Sequence, residues 1–415
     1  MKNGNQLPEI KTDVPGPKSR AWVDRLALRE CPAITARRAR RASALGAVDD
    51  DPIVWAEALG ANVEDVDGNR YVDLTAGFGV ASAGHRNPQV MAAAKAQLDQ
   101  LSHVMGDAYP DTQRIVLLEK LAEKTGLDRS ILGSSGSDGV EAALKTGRIM
   151  SGRSGVLAFE AGYHGLSYGA LAVTGYHGEA FRGPFAEQLG QHVVRGTYGG
   201  DIPDLSNIGT VIVEPIQGRG GIRVPPAGWL RALADQARAA GAVLVFDEVY
   251  TGFGRTGSWF AFQDENVRPD LLVLGKGMAG GFPISACVGT AEAMDAWGAS
   301  QGEALHTQTF LGNPVGCAMA LACIEELESI IPSVPEKSRW LMNELAARGY
   351  QVQGRGLMLG IEMEHALQCS RTLLRKGFIA LPAGERAEVL GVTPPLTITT
   401  EQLTAFLDAL DQALA

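Results

Sequence analysis

Val243-Leu-Val-Phe-Asp-Glu-Val-Tyr-Thr-Gly-Phe-Gly-Arg-Thr-Gly257 carries a short aliphatic run that delivers an acid pair, Asp247 and Glu248, into a glycine-rich turn. A second run, Leu271-Leu-Val-Leu274, is followed after Gly275 by Lys276. Both runs are short and aliphatic throughout, the pattern of strands buried on both faces. An acid and an amine therefore stand where buried strands end, the place where open α/β sheets hold their ligands.

A lysine can hold an aldehyde cofactor as a Schiff base, and a carboxylate can keep such a cofactor's ring nitrogen protonated so that the ring accepts electrons. Lys276 and Asp247 suit pyridoxal phosphate in these two roles. A solvated strand-end ion pair is the bland reading of the same two residues.

The neighbouring words decide between them. Phe246-Asp-Glu-Val-Tyr-Thr-Gly-Phe-Gly-Arg-Thr-Gly257 and Leu274-Gly-Lys-Gly-Met-Ala-Gly-Gly-Phe-Pro283 occur in this order with Asp67-Gly68, Gly84-His85, Ser135-Gly-Ser-Asp138 and Tyr163-His-Gly165 before them. Thr309-Phe-Leu-Gly-Asn-Pro314 and Pro394-Pro-Leu396 follow. As a set spanning most of the chain, they resemble the class III aminotransferases, the ornithine and 4-aminobutyrate type of fold-type I pyridoxal phosphate enzyme. The resemblance implies an α/β fold: a large domain with a mostly parallel seven-stranded sheet, and a small α+β domain drawn from both termini.

The resemblance also distributes roles. Gly136 and Ser137 would hold the cofactor phosphate, at the start of a helical run whose free N–H groups suit an anion. A plain helix cap is the alternative for that motif. Tyr163 would stack on the cofactor ring, with Val249 on the opposite face and Asp247 at the ring nitrogen. Tyr250 departs from the glutamine often found there, and its phenol would have to reach the cofactor's phenolic oxygen instead. Thr309 would reach the phosphate of the neighbouring subunit, which implies a homodimer with shared active sites. Amine transfer between an amino acid or amine and a keto acid or aldehyde would then run through Lys276 as acid–base catalyst.

Two family features are absent. Glu214-Pro-Ile-Gln-Gly is followed by Arg219 where many relatives acting on ω-amino acids carry glutamate, and Gly391 occupies the place of a late carboxylate-binding arginine. A bidentate guanidinium is hard to replace. Arg219 is the candidate substitute, and Phe78 and Trp55 are further candidates for the substrate pocket. The lost arginine also favours a rival on the same scaffold, an amino-acid or lactam racemase or epimerase. A non-catalytic cofactor-binding regulator is the alternative of another class; no helix-turn-helix pattern supports it.

Gly252-Phe-Gly-Arg-Thr-Gly257 satisfies the dinucleotide pattern G-x-G-x-x-G, but no apolar helical period follows it, so it reads as a false match. With 45% hydrophobic and 20% charged residues among 415, the composition is that of an ordinary folded chain. A formal charge of -10 argues against nucleic-acid partners. No apolar stretch is long enough to span a bilayer. The five cysteines form no C-x-x-C pair, which fits a reducing cytoplasm, and the seven histidines show no metal spacing, so no metal is expected. Arg37-Arg-Ala-Arg-Arg41 reads as a solvated helix face.

The expected organisation is a flexible tail over 1–20, an N-terminal segment over 21–74 joining the small domain, a large cofactor-binding domain over 75–319, and a C-terminal small domain over 320–415. Within it, a helix is expected over about 21–45, a hairpin around Asp67-Gly68, one strand over 354–362 and a closing helix from Thr400.

Overall fold

The computed structural model describes residues 4–35 and 52–414. In chain order the strands are β1 (Trp55–Leu59), β2 (Asn62–Asp65), β3 (Arg70–Asp73), β4 (Arg129–Gly133), β5 (Gly155–Phe159), β6 (Val193–Gly196), β7 (Ile208–Val213) and β8 (Val243–Asp247). They continue with β9 (Leu271–Leu274), β10 (Ser285–Gly289), β11 (Val352–Arg355), β12 (Met358–Glu362), β13 (Phe378–Ile379), β14 (Leu381–Ala383) and β15 (Val389–Val392).

Seven of them form one sheet in the order β4-β10-β9-β8-β7-β5-β6. The pairs from β9 through β6 are parallel, whereas β10 runs antiparallel to both β9 and β4. The aliphatic runs are explained by what lies on each face. Leu244 and Phe246 enter one hydrophobic cluster with Leu230 and Leu233 of the helix Trp229–Ala239. Val243 and Val245 enter another with Val140 and Ala143 of the helix Gly136–Ser151. Successive strand residues point to opposite faces, so a strand covered on both sides must be apolar at every position.

Both ends of the chain contribute to a second layer. The hairpin β2–β3 turns at Gly68, whose φ of 85° suits glycine, and β13 from the C-terminal half pairs in parallel with β3. The order β11-β12-β15-β14 makes a further four-stranded sheet. The closing helix runs from Thr400 to Leu414.

Three expectations are corrected. Residues 4–16 are not a free tail: Glu9 pairs with Arg70 in a backbone bridge, the Gln6 amide donates to Asn62 Oδ1 at 2.8 Å, and the Lys11 amide donates to Asn69 Oδ1 at 2.7 Å. Buried hairpin asparagines anchor this polar, proline-containing segment, a tertiary effect that composition does not reveal. The first helix is Pro17–Ala27, with a second short one at Pro32–Thr35, so it starts earlier than expected. Its proposed continuation to 45 and the basic cluster Arg37–Arg41 lie outside the described residues. Finally, 354–362 is not one strand but part of the hairpin β11–β12, reversing at Gly356 with φ 59°.

The false dinucleotide match holds as such. No helix opens in Gly252–Gly257, and Arg255 is buried there, its Nη1 donating to the Leu357 and Pro394 carbonyls. Among the described residues, no helix is long and apolar enough to cross a membrane.

Candidate active site

Asp247 is the last residue of β8, and Lys276 follows β9 by two positions, so parallel neighbours bring both to the carboxyl edge of the sheet. Asp247 is 4% exposed. Its Oδ2 lies 2.7 Å from His164 Nδ1, and its Oδ1 accepts from the Val249 amide at 3.1 Å. His164 comes from the segment after β5 and belongs to the Tyr163-His-Gly165 motif. That motif was legible in the sequence, but the partnership with Asp247, 83 positions away, was not.

Glu214, just after β7, is a second buried acid missed in the sequence. Its carboxylate accepts from the Tyr163 amide at 2.8 Å and the Gly218 amide at 3.0 Å. It thereby fixes the segment that presents Tyr163. Burial pushes its pKa up to about 7; neighbouring His164 opposes the shift and Asp247 adds to it. The signal was present as the acid of Glu214-Pro-Ile-Gln-Gly.

At the start of the helix Gly136–Ser151, Ser135 and Asp138 form a reciprocal capping box. The cap reading thus falls to those two residues. Gly136 and Ser137 occupy the first helical positions, whose N–H groups have no partner inside the helix. Ser137 Oγ lies 2.6 Å from Ser167 Oγ and accepts from the Ser167 amide at 3.1 Å, and Ser167 in turn donates to Glu141. Ser167 is another contributor that sequence reasoning passed over.

The loops meet because their glycines carry no side chain. A Cβ on Gly165, whose φ is +118°, would lie 2.5 Å from Ser137 Oγ, and one on Gly136 would lie 2.9 Å from Val249 Cγ1. Gly275 faces the same valine at 3.4 Å. Gly136, Ser137, Val249 and Gly275, which precedes Lys276, are therefore neighbours. Thr309 is exposed, and no described hydrogen bond of its hydroxyl joins it to this cluster.

Lys276 Nζ sits 4.6 Å from the centre of the Tyr250 ring. Burial pushes the lysine pKa down, Asp247 and Glu214 pull it up, and Arg219 lowers it. The Tyr250 hydroxyl is 3.0 Å from Thr393 Oγ1. Its ring lies in a slot between two glycines: a Cβ on Gly79 would stand 2.4 Å from Cε2, and one on Gly218 2.3 Å from Cδ1. We expect Gly218→Ala to displace the ring at a cost of roughly 1–3 kcal/mol, the range for overpacking. Gly190→Ala, whose Cβ meets nothing within 4 Å, serves as control. Thermal melts in which the two variants coincide would contradict the slot.

A cavity of about 390 Å³ opens beside Tyr250, and Arg219, Phe78 and Trp55 all line it. The Arg219 guanidinium carbon lies 4.3 Å from the Tyr163 ring centre and 5.1 Å from that of Tyr176. Phe78 is held out at the rim by a left-handed turn, with φ positive at Ala76, Gly77, Phe78 and Gly79. Asp73 pins this turn by accepting from the Thr75 and Gly77 amides, and His85 Nε2 lies 2.8 Å from its Oδ2. Gly84-His85 was one of the matching sequence words; its physical use is to brace Asp73. Strain of this kind persists only where surroundings over-determine it, as at ligand sites.

The arrangement fits pyridoxal phosphate. Helix-start amides and the Ser137 hydroxyl suit a phosphate, buried Asp247 suits a protonated ring nitrogen, Tyr163 and Val249 suit the ring faces, and Lys276 suits the aldehyde. The close glycine approaches bring Gly165 against Ser137, and Gly136 and Gly275 against Val249, so the phosphate and aldehyde ends of such a site adjoin.

Comparison with known proteins agrees. The aminotransferase class-III family model matches residues 45–195 and 203–414. Acetylornithine aminotransferase of Methanosarcina acetivorans is 35% identical over 373 residues, covering 87% of this chain and 92% of the relative. That of Mycobacterium bovis is 38% identical over 379 residues, covering 88% and 92%. Among solved structures, ornithine aminotransferase of Toxoplasma gondii superposes with a TM-score of 0.81 at 27% identity, covering 97% of this chain and 98% of that one. An amine transaminase from an uncultivated Pseudomonas species, in its pyridoxal phosphate-bound form, gives 0.80 at 28%, covering 88% and 95%. The match over nearly the whole length, together with the Lys276 and Asp247 cradle, identifies the chain as a member of the class III aminotransferases, pyridoxal phosphate-dependent enzymes of fold type I.

Proposed function

We propose that this aminotransferase moves an amino group between an amino acid and a keto acid with Lys276 as its acid–base residue. The observation that carries the reading is the convergence of a partly buried amine, Lys276, and a buried carboxylate locked to His164 at the carboxyl ends of adjacent strands. The cofactor supplies an electron sink for the bond broken at the substrate's α carbon. Asp247 holds negative charge at the ring nitrogen, and His164 fixes the orientation of that carboxylate. Gly136 and Ser137 bind the phosphate, while Tyr163 and Val249 exclude water from the two ring faces. Lys276 Nζ would take the proton from the substrate carbon that bears the amine and return it two atoms further along, to the carbon that supplied the cofactor's aldehyde. Burial makes its neutral, proton-accepting form easier to reach.

Arg219 is our candidate for the substrate carboxylate. Among the described residues, no carboxylate lies within ion-pair distance of its guanidinium, which is poised on the Tyr163 face. We also infer a homodimer in which Thr309 completes the neighbour's phosphate site. Exposed Leu305 and Phe310 beside Thr309, with Met105 and Tyr109 exposed on another loop, support such an interface. Five free cysteines, four of them buried, support a reducing, cytoplasmic setting. The division near residues 75 and 320 is our reading too, with the β3–β13 pairing in support.

The test is an absorbance spectrum of the holoenzyme during addition of single amines without any keto acid. Amino transfer bleaches the visible band of the lysine-bound cofactor as the amino form accumulates, and ranks the donors. A band that persists while the donor's α deuterium washes out and its chirality scrambles would replace transfer by racemisation.

A further inference from the structure

The Lys276 amine is met by an aromatic face. Among the described residues Nζ has no hydrogen-bond or ion-pair partner, and it sits 4.6 Å from the centre of the Tyr250 ring. Tyr250 follows Asp247 by three positions in the turn after β8, so the strand that ends in the buried acid also positions this ring.

The ring is fixed on three sides. One edge, Cδ2 and Cε2, faces Gly79, and the opposite edge, Cδ1 and Cε1, faces Gly218. The Gly218 amide donates to Glu214 at 3.0 Å, which anchors that side of the slot. At the far end the hydroxyl lies 3.0 Å from Thr393 Oγ1, and buried Thr393 donates in turn to the Thr75 carbonyl at 3.4 Å. With both edges and the hydroxyl engaged, what the ring offers the amine is its face.

An aromatic face carries the negative part of the ring quadrupole and attracts an ammonium ion, less strongly than a buried carboxylate does. The difference matters for a residue that takes a proton and gives it back. A close ion pair would hold the proton on the amine, whereas burial alone expels it. At Lys276 burial pushes the pKa down, Asp247 and Glu214 oppose it, and Arg219 adds to it. A rigid face gives the cation a fixed resting place while competing little for its proton, since a ring face is a weak acceptor.

We propose that Tyr250 is a positioning residue for amino transfer: its ring face, rather than its phenol, holds the cationic form of the Lys276 nitrogen in place. The proposal rests on the reading of Lys276 as the lysine that carries the cofactor and moves the proton.

The test is a pH titration of the visible band of the lysine-bound cofactor, which reports the proton on the Lys276 nitrogen in the holoenzyme without turnover. Asp247, Glu214 and Arg219 act on that nitrogen, Asp73 and Arg255 act on Tyr250, and none of them changes in the variants. Y250F keeps a face and is expected to hold the midpoint within about 0.2 pH unit. Y250L removes the face and is expected to lower the midpoint by roughly half to one unit, because the cation loses its partner. Both variants lose the Thr393 hydrogen bond, so a purely structural role would move both midpoints alike. That result overturns the proposal, as does an unmoved midpoint in Y250L.

If Y250L does not hold cofactor, Tyr250→difluorophenylalanine decides, since fluorine weakens the face and nearly keeps the shape. A midpoint below that of Y250F supports the assignment and an equal one overturns it. If neither the parent nor Y250L titrates below about pH 10, the same comparison is read from the pH dependence of Lys276 acylation in the apoenzyme, with the same expectations. A holoenzyme without any lysine-bound band would sink the Lys276 reading itself, a different failure from a midpoint indifferent to residue 250.

Discussion

Lys276→Ala is expected to abolish turnover, with kcat falling by about 10⁴-fold or more, because the variant loses both the covalent anchor for the cofactor and the base that moves the proton. The visible band of the lysine-bound cofactor should vanish with it. Cofactor content should fall less than activity, since the phosphate donors proposed at Gly136 and Ser137 and the packing proposed for Tyr163 and Val249 are independent of the amine. The fold should persist: Lys276 is not an apolar core residue, and its Nζ rests on the Tyr250 ring without any described ion pair. Retained turnover, or a variant that still shows the lysine-bound band, would remove Lys276 from the reaction.

Asp247→Ala should be the second most damaging change. Removing a preorganised charge from a buried site costs about 10²–10³ in rate, and here it also leaves His164 without its partner at 2.7 Å. An unpaired buried imidazole adds roughly 1–3 kcal/mol of destabilisation. The expected pattern is therefore a large fall in kcat, a lowered melting temperature and continued loading with cofactor. Asp247→Asn separates the two effects: the amide can still meet His164 and so should recover stability, but it lacks the negative charge and should not recover rate. Recovery of rate by the asparagine would show that the acid acts through packing and not through charge.

The strands of the large sheet were legible because their burial on both faces forces an apolar residue at every position, and such runs stand out in a sequence. Lys276 and Asp247 were legible for a related reason, as ionisable groups placed immediately after those runs. Helix starts were also readable from the local chemistry of Ser135 and Asp138, which form a reciprocal capping box and leave Gly136 and Ser137 at the first helical positions. The first helix and the amino-terminal segment were misjudged. Asn62 and Asn69 order the segment before the helix, through backbone groups more than 50 positions away, and Asp67 accepts from the Lys18 and Ser19 amides at the helix start.

What the sequence by itself determined is the set of chemical groups and the strand ends that carry them, because the periodicity of burial and the local demands of turns are written in neighbouring residues. Only the tertiary structure decided which of those groups meet. His164 joins Asp247 across 83 residues, Glu214 reaches back to the Tyr163 amide, Gly79 and Gly218 enclose Tyr250, and Arg219, Phe78 and Trp55 come to line one cavity. Those contacts depend on how sheets and helices pack, and on close approaches permitted by glycines remote in the chain. Local sequence records no such distance, so substrate recognition becomes readable only when the chain is folded.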